Sequence, residues 1–409
     1  MEFLGHFRRL TPLQRSTFTA CFLGWSLDAF DFFILTFCVS AIATQFQTKI
    51  SAVAEAIFIT LAFRPVGAFL FGLMADRFGR RPTLMVDIIA YSVFELASAF
   101  APSLKVFLIT RALFGIAMGG EWGVGAALAF ETLPAEGRGF FSGLLQEGYA
   151  VGYLMAALVY GTAFRFVGWR GMFVIGALPA FLVIYIRTKV DESPAWVQGQ
   201  VSRNAKRRLD QDILTYLGTF ALLVVLMFAF NCFSHGTQDL YPTFLTKGHH
   251  FEPKTVMLIT VVANMGALLG GVLFGTWSER IGRRRAIVIA ALLAIPVIPL
   301  WAYSHTVPML ALGGFLMQFM VQGAWGVIPA HLNELSPSAV RGTFPGFAYQ
   351  LGNLLSSRNV VIQAKLAENR YGGMYPPVLA WTVVIVATLV AVVTWSGRER
   401  KGTDMTKTN

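Results

Sequence analysis

Apolar runs alternate with short polar loops along the whole chain, and twelve of these runs stand out by their length. Each has roughly 18 to 25 residues, enough to cross about 30 Å of hydrocarbon as an α-helix. The predicted spans are 17–43, 51–74, 83–101, 104–128, 139–164, 170–189, 213–240, 255–276, 286–304, 308–330, 342–364 and 377–396. The pattern therefore predicts an all-α integral membrane protein with six-helix bundles at 1–189 and 213–409 and a linker at 190–212.

Composition supports this class and excludes a soluble one. The chain is 55% apolar and 14% aromatic, and only 13% of its residues are charged, against about 25% in soluble globular proteins. Cys21, Cys38 and Cys232 lie in or beside apolar runs without metal-ligand spacing, so they are expected to be buried apolar residues. Neither a metal nor an organic cofactor is expected.

The net charge of +11 could suggest a nucleic-acid partner, but its distribution argues for membrane topology instead. Of the 33 Lys and Arg residues, 22 lie at the N-terminus, in the loops after even-numbered spans, in the central loop and at the C-terminus. Because cytoplasmic loops carry an excess of Lys and Arg, both termini and the linker are predicted to be cytoplasmic, in a bacterial inner membrane. The first apolar run is too long for a cleavable signal.

The two halves of the chain are copies of each other. The segment 72–81 recurs as 275–284, a shift of 203 residues. The same shift carries Trp122 onto Trp325 and Glu131 onto Glu334. Since each half has an even number of spans, the repeat is parallel. The same 203-residue shift also pairs Asp28 of the first span with Asn231 of the seventh.

The loop 72–81, with its G-x-x-x-D-R-x-G-R-R pattern, and Arg111 with three nearby glycines in the fourth span resemble the major facilitator superfamily. The second copy of the loop departs from the pattern, with Glu279 as its acid and Trp277 ahead of it. The resemblance covers residues 17–396. It implies two six-helix bundles around a central cavity, which alternates its access by rocking one bundle against the other.

Acidic and basic residues recur together in these loops of both halves, which topogenic charge alone does not explain. In the superfamily such acids bridge to the loop arginines and to a neighbouring helix N-terminus, closing the cytoplasmic side. The residues expected to form this gating latch are Asp76, Arg77, Arg80, Arg81, Glu131, Arg138, Glu279, Arg280, Arg283, Arg284, Glu334 and Arg341.

Several acids lie inside predicted spans, where an ionisable side chain is costly and is by default a functional candidate. Asp28 and Asp31 lie three residues apart on one face of the first span, and Glu121 and Glu147 occur in the fourth and fifth. Burial in a low-dielectric medium disfavours the charged carboxylate, so these groups are candidate proton sites. For Asp28 and Asp31 the structural alternative is an ion pair with Arg64 or Arg111, and for the strips that carry Glu121 and Glu147 it is close helix packing.

Two arginines inside spans, Arg64 and Arg358, could each hold a substrate anion, because guanidinium offers a two-pronged donor fork to a carboxylate. A salt bridge to Asp28, Asp31 or Glu121 is the alternative for both. Arg64 is preferred as the carboxylate anchor.

The seventh span turns abruptly polar after Phe230, with Asn231, Ser234, His235, Gln238 and Asp239 on one helical face. Pro242, which lacks an N–H, is expected to end or bend this helix. Asp239, four residues after His235, could set the tautomer of the imidazole. The structural alternative is a polar helix end satisfied by water.

The segment 231–243 fits N-x-x-[S/T]-H-x-[S/T]-Q-D-x-x-x-T, and so resembles the fungal lactate/pyruvate permeases of the sialate:proton symporter family. The segment 349–354 in the eleventh span also resembles that family. The resemblance implies monocarboxylate recognition and proton-coupled turnover by Asn231, His235, Gln238 and Asp239. Other candidate substrate-binding residues are Tyr149, Gln350 and Asn353.

The sequence therefore predicts a proton-coupled symporter, monomeric by its internal repeat, that carries L-lactate or pyruvate inward. Its partners are a small organic anion, the proton and the lipid bilayer. Sialic acid is an alternative substrate, and so is an aromatic acid, because 28–31 also resembles the first span of aromatic acid:proton symporters. A membrane nutrient sensor without net transport is an alternative of another class. A membrane enzyme is disfavoured by the absence of catalytic motifs.

Overall fold

The computed structural model describes residues 7–48, 50–203 and 216–405, and these residues form helices and loops without any strand. The helices of the first half are α1 Pro12–Gln45, α2 Ile50–Phe78, α3 Arg80–Ala99, α4 Leu104–Met118, α5 Glu121–Thr132, α6 Arg138–Gln146, α7 Gly148–Ile175, α8 Leu182–Lys189 and α9 Pro194–Arg203. A 3₁₀ turn, Leu178–Phe181, precedes α8.

The second half repeats this order. Its helices are α10 Leu217–Gln238, α11 Tyr241–Thr243, α12 Pro253–Ile281, α13 Arg283–Leu293, α14 Ile298–Ala302, α15 Val307–Leu335, α16 Phe344–Ser356, α17 Asn359–Arg370 and α18 Tyr375–Ser396. A π-helical turn, Phe244–Gly248, follows α11, and 3₁₀ turns occur at Ile295–Val297 and Ser338–Val340.

Ten stretches of the described chain are helical, long and apolar enough to cross a membrane. Two predicted spans are not counted separately. The fifth and sixth run together as 138–175 through Gly168, whose φ of 61° breaks the helical geometry between them. The eleventh is divided into α16 and α17, of 13 and 12 residues, each too short to cross alone. The described helices therefore account for the twelve predicted crossings.

Proline and glycine explain most interruptions within spans. The fourth span is broken between α4 and α5 at Gly119 and Gly120. A Cβ on Gly119 would lie 2.1 Å from the Arg64 carbonyl oxygen, so this helix passes the second span at a separation that only glycine permits. The ninth span is broken where Pro296 and Pro299 remove backbone donors.

The predicted linker 190–212 contains a helix, α9, which packs against α5. Glu192 just before it accepts hydrogen bonds from the backbone N–H groups of Arg80 and Arg81, at 3.0 and 3.2 Å, at the start of α3. Residues 204–212 lie outside the described part of the chain. The linker is thus attached to the first half along the part that is described.

The two halves meet mainly at the end of the bundle from which the arginine-rich loops 77–81 and 280–285 extend, here called the basic end. Across the halves, α2 packs on α16, and α6 packs on α12 and α15. A Cβ on Gly143 in α6 would lie 2.4 Å from the Gly271 carbonyl oxygen in α12, which shows how closely the backbones approach. The structure is therefore closed at the basic end.

Candidate functional site

An ion pair lies at the centre of the first half. The Nη2 atom of Arg64 in α2 lies 3.2 Å from Oδ2 of Asp28 in α1, and the two side chains are 3% and 0% exposed. The other Asp28 oxygen and the Arg64 Nε atom have no hydrogen-bond partner. The salt bridge that the sequence left as an alternative is therefore present, and it leaves a guanidinium donor unused.

Four more carboxyl groups are buried near this pair, those of Asp31 in α1, Asp87 and Glu95 in α3, and Glu121 in α5; each residue is 0% exposed. Both carboxyl oxygens of Asp31, Asp87 and Glu121 lack a hydrogen-bond partner. Asp31 and Glu121 were candidate proton sites by sequence, whereas the two acids of α3 were not among the candidates. With Tyr91 between them at four-residue spacing, these acids share one helical face, and that spacing was the available signal.

The buried Arg111 of α4 donates from Nη1 to Glu95 Oε2. Its guanidinium carbon also lies 3.8 Å from the centroid of the Phe114 ring, a cation–π contact. An ion pair of Asp28 or Asp31 with Arg111 was one structural alternative. Arg111 instead pairs with Glu95 of the third span.

Glu147 lies away from these acids, at the joint between α6 and α7. It is 7% exposed, and its Oε1 atom has no hydrogen-bond partner. That oxygen lies 2.1 Å from the position that a Cβ on Gly271 would occupy. Glu147 is therefore placed at the interface between the halves.

The polar face of the seventh span is formed by the end of α10. Asn231 is 2% exposed and donates to the Met227 carbonyl oxygen at 2.8 Å. The side chains of His235 and Asp239 are 40% and 36% exposed, with Nδ1 and Oδ2 3.1 Å apart. The helix ends at Gln238, and the chain continues through irregular turns past Pro242. The face thus runs from a buried amide to a solvated histidine–aspartate pair.

Two glutamines of the tenth span, which the sequence analysis missed, face this surface from α15. Gln318 accepts from Gln238 Nε2 at 2.7 Å and donates to Thr237 Oγ1 at 3.3 Å. Gln322 donates to Ser234 Oγ at 3.4 Å. The two glutamines lie four residues apart in the apolar stretch 307–330, a spacing that could have revealed them.

The eleventh span completes this surface, with one correction. Asn353 of α16 lies near His235. Gln350 is 2% exposed, with no hydrogen-bond partner for Oε1. Arg358 was expected inside a continuous span, but it is exposed at the turn between α16 and α17. Its guanidinium therefore does not need a buried counter-charge in this state.

Aromatic side chains form a layer across the centre of the molecule, here called the aromatic layer and consisting of Trp25, Trp122, Tyr149, Trp325 and Tyr349. Tyr349 of the second half lies 4.8 Å from Trp122 of the first and 5.8 Å from Trp325, between ring centroids. Trp25 stacks on Tyr149 at 5.6 Å. All three indole N–H groups are buried without a hydrogen-bond acceptor. The layer joins the halves and presents unsatisfied donors.

At the basic end, Asp76 of α2 reaches the start of α16 in the other half. Its carboxylate accepts from the N–H groups of Gly342 and Thr343 at 2.8 and 3.1 Å, and from the Thr343 hydroxyl at 2.6 Å. Arg80 lies 3.1 Å from Asp76 and binds both oxygens of Glu131 at 3.0 Å. Asp76 therefore joins the halves through two backbone N–H groups and a hydroxyl just before the N-terminus of α16.

The repeat reproduces this arrangement. Glu279 accepts from the Gly139 N–H at the start of α6. Arg283 lies 2.9 Å from Glu279 and binds both oxygens of Glu334 at 3.1 Å. Arg138 lies 3.5 Å from Glu334, and its repeat partner Arg341 lies 3.6 Å from Glu131. In each half, one carboxylate thus accepts hydrogen bonds from the start of a helix in the other half.

Two arginines assigned to this latch have another role. Arg81 donates to the Arg187 carbonyl oxygen at 2.6 Å, and Arg284 donates to that of Thr394 at 3.1 Å. Both contacts stay within one half and bind the end of its last span. The expectation that the side chains of Arg81 and Arg284 join the halves is therefore wrong. The Arg77 guanidinium carbon lies 5.3 Å from the centroid of the Phe78 ring, within α2.

A segment after α18, residues 398–405, crosses the basic end and is here called the tail strap. Arg138 donates to the Thr403 carbonyl oxygen, and Arg341 to that of Met405, each at 3.1 Å. Lys401 donates to the Glu279 carbonyl oxygen at 2.8 Å. Met405 is 2% exposed and packs in the apolar core of the first half. The tail strap thus binds both halves.

The family model for the Major Facilitator Superfamily matches residues 21–356 and, in a second match, 240–407. The "Carboxylic acid transporter protein homolog" of Saccharomyces cerevisiae is 30% identical over 88% of this chain, which spans 62% of that protein's length. The "Sialic acid transporter NanX" of Escherichia coli is 28% identical, over 91% of this chain and 88% of its own.

A solved structure shares the fold. The proton:xylose symporter XylE, bound to 6-bromo-6-deoxy-D-glucose, superimposes with a TM-score of 0.76 over 96% of this chain and 97% of its own. The sequences are 19% identical, so this likeness concerns the fold alone. It supports the arrangement of twelve helices in two halves.

Proposed function

The chain belongs to the Major Facilitator Superfamily, and we propose that it carries a small carboxylate across the membrane together with protons. It is a transporter rather than an enzyme, as are the relatives it resembles. The seventh-span pattern favours L-lactate or pyruvate as the carboxylate. The yeast relative, a carboxylic acid transporter homolog by name, supports an organic acid.

The observation that carries this proposal is the Arg64–Asp28 pair with its unused donor. A substrate carboxylate can take the place of the Asp28 carboxylate on the guanidinium, because both are planar two-oxygen acceptors. Asp28, displaced into a low-dielectric interior, is then more stable as the neutral acid. One anion and one proton enter together, so the buried charge of the site does not change. That balance links substrate binding to proton binding.

The surface made by α10, α15 and α16 would form the opposite wall of the binding cavity. His235 and Asp239 are solvated, while Asn231 and Gln350 are buried. Polar side chains therefore line this wall from the solvent-exposed end to the centre of the molecule. The amides and the imidazole can donate to the hydroxyl or keto oxygen of a 2-oxygenated acid. This wall would provide specificity, and Arg64 would provide charge recognition.

Alternating access would require the contacts of Asp76 and Glu279 at the basic end to break and reform. By the excess of Lys and Arg, this end and both termini face the cytoplasm of a bacterial cell. The closed basic end then corresponds to a carrier open outward. Binding of both substrate and proton would favour the inward swing by removing the electrostatic cost of closing the outer side. The internal repeat is sufficient for a monomer.

A second substrate is favoured by a specific observation, the aromatic layer. Tyr149 and Tyr349 interact electrostatically with Arg64, so an acid held by that guanidinium would place its remaining atoms against aromatic rings. Planar rings stack on such surfaces, and an aryl carboxylate would use them better than lactate does. Sialic acid, suggested by the second relative, would instead use the amides of α10 and α15.

The experiment is uptake of radiolabelled L-lactate into proteoliposomes under an inward proton gradient, competed by pyruvate, benzoate and sialic acid. Accumulation that collapses when the gradient is abolished supports the proposal, and Arg64→Gln should abolish it. Uptake that ignores the gradient would contradict proton coupling. Competition by benzoate alone would replace the substrate and leave the coupling intact. Binding without accumulation of any acid would indicate a sensor.

A further inference from the structure

The third span carries polar groups that the proposed function does not use. Asp87, Tyr91 and Glu95 lie four residues apart on one side of α3, and all three are 0% exposed. The opposite side of the same helix is apolar and exposed at Val86, Ile89 and Val93. The polar side therefore faces the interior of the first half. Ionisable side chains are rare on the buried face of a membrane-spanning helix.

These groups lie between the acids of the first and fourth spans. Asp31 Oδ1 and Glu95 Oε1 lie 3.0 and 3.1 Å from a single point, the position of a Cβ on Gly176. At the other end, Asp87 Oδ1 lies 2.6 Å from the Cβ position of Gly120, the residue before Glu121. Glu121 Oε1 lies 2.3 Å from the Cβ position of Gly24, one helical turn before Asp28.

Tyr91 occupies the middle of this cluster. It interacts electrostatically with Asp31, Glu121, Asp28 and Asp87. Its hydroxyl is buried and has no hydrogen-bond partner. A buried hydroxyl without a partner is costly unless water or an exchanging proton satisfies it. The position fits a group that both donates and accepts.

Charge counting sets the protonation of the cluster. It contains five carboxyl groups and two guanidinium groups, those of Arg64 and Arg111. Only Asp28 and Glu95 are paired with a guanidinium. The other titratable neighbours are the thiols of Cys21, near Glu121, and Cys38, near Glu95, and the hydroxyl groups of Tyr149 and Tyr349, near Arg64. Since an unpaired buried carboxylate is strongly disfavoured, neutrality leaves protons on three carboxyl groups.

We propose that the face of α3 formed by Asp87, Tyr91 and Glu95 is the proton path of this carrier, linking Asp31 to Glu121 and Asp28. This inference rests on the proposed proton-coupled function and assigns it residues in the third span. When the substrate displaces Asp28 from Arg64, the carboxyl group of Glu121 or Asp87 passes its proton to Asp28 and becomes a carboxylate. That carboxylate accepts the Tyr91 hydroxyl proton while the Tyr91 oxygen binds the proton that leaves Asp31. Tyr91 ends unchanged, and the Asp31 carboxylate is left to take the next proton.

The test uses the full-length protein in proteoliposomes with radiolabelled pyruvate, and two assays that separate coupling from transport. One is exchange of internal for external pyruvate without a gradient. The other is accumulation driven by one pH unit with the membrane potential clamped at zero, which supports about tenfold accumulation for one coupled proton. Asp87→Asn and Tyr91→Phe should reduce accumulation to about onefold and retain exchange. Ser92→Ala, which removes a buried hydroxyl from the same helix, is the matched control.

A second measurement does not depend on transport. The infrared C=O band of protonated carboxyl groups should be present in the wild type at neutral pH and should lose intensity in Asp87→Asn. Accumulation that persists in both variants, or a wild type without that band, overturns the inference. A wild type that shows the band but no proton-driven accumulation refutes the proposed function while retaining the buried protons. Glu95→Gln is not used, because it would leave Arg111 buried without its counter-charge.

Discussion

Asp76→Asn tests whether the basic end is held closed by the contacts described there. The substitution keeps the size of the side chain but replaces one acceptor oxygen and removes the negative charge. Asp76 accepts from two backbone N–H groups and one hydroxyl at the start of α16. A hydrogen bond to a charged group contributes about 1.5–3 kcal/mol, and an anion at a helix N-terminus about 0.3–1 kcal/mol. The closed state should therefore lose about 3 kcal/mol.

That loss is large on the scale of a conformational equilibrium. Since 1.4 kcal/mol is a factor of ten, about 3 kcal/mol changes the ratio of closed to open carriers by about 100-fold. A state that is about 1% open in the wild type would become about half open in the variant. Glu279→Gln should produce a smaller shift, because Glu279 is 21% exposed and accepts from one backbone N–H of the other half.

The assay is a spin-label distance measurement across the basic end. Glu136 of the first half and Arg285 of the second are exposed there and can carry the labels as Glu136→Cys and Arg285→Cys, with the native cysteines replaced. Asp76→Asn should add a longer distance to the distribution. Asp239→Asn is the control, because that carboxylate lies at the other end of α10 and is 36% exposed. An unchanged distribution in Asp76→Asn would refute the latch.

Two further predictions concern packing and the cavity wall. Gly143→Ala should open the basic end in the same distance measurement, because the added Cβ would lie 2.4 Å from the Gly271 carbonyl oxygen. Gly161→Ala is the control and should not open it, because a Cβ there has nothing within 4 Å. Equal behaviour of the two variants would contradict the close approach of the backbones. Gln318→Leu removes the hydrogen-bond partner of Gln238. Since such a hydrogen bond contributes about 1 kcal/mol, the KM for uptake should rise by about fivefold. An unchanged KM would show that Gln318 is not part of the binding site.

The fold and the basic end were predictable because both depend on patterns that the chain repeats. Membrane crossing requires only sufficient apolar length. The loops 77–81 and 280–285 mark the turns after the second and eighth spans. The 203-residue shift predicted the correspondence between the two halves, and the structure shows equivalent contacts at Asp76 and Glu279. The boundary predicted at 165–169 contains Gly168, where the helical geometry breaks. The break in the eleventh span was not predicted, because apolar length does not report local backbone geometry.

The interior of the first half was only partly predictable. That Asp28 pairs with Arg64, and that Glu95 rather than another acid pairs with Arg111, depends on the rotation of each helix about its axis. An apolar span shows no strong difference between its lipid-facing and protein-facing sides, so the sequence does not fix this rotation. The face of α3 was visible as a spacing, but its direction was not. The aromatic layer was hidden among many other aromatic residues for the same reason.

The tail strap gives the transport cycle a feature that side-chain contacts alone would not provide. Because it is anchored by Arg138 and Arg341 and buried through Met405, it must detach from one half whenever the basic end opens. A protease needs an extended, detached segment of chain, and cleavage follows the population of that detached form. Trypsin sensitivity at Lys401 would therefore report the fraction of carriers open at the basic end, in unlabelled protein and in native membranes.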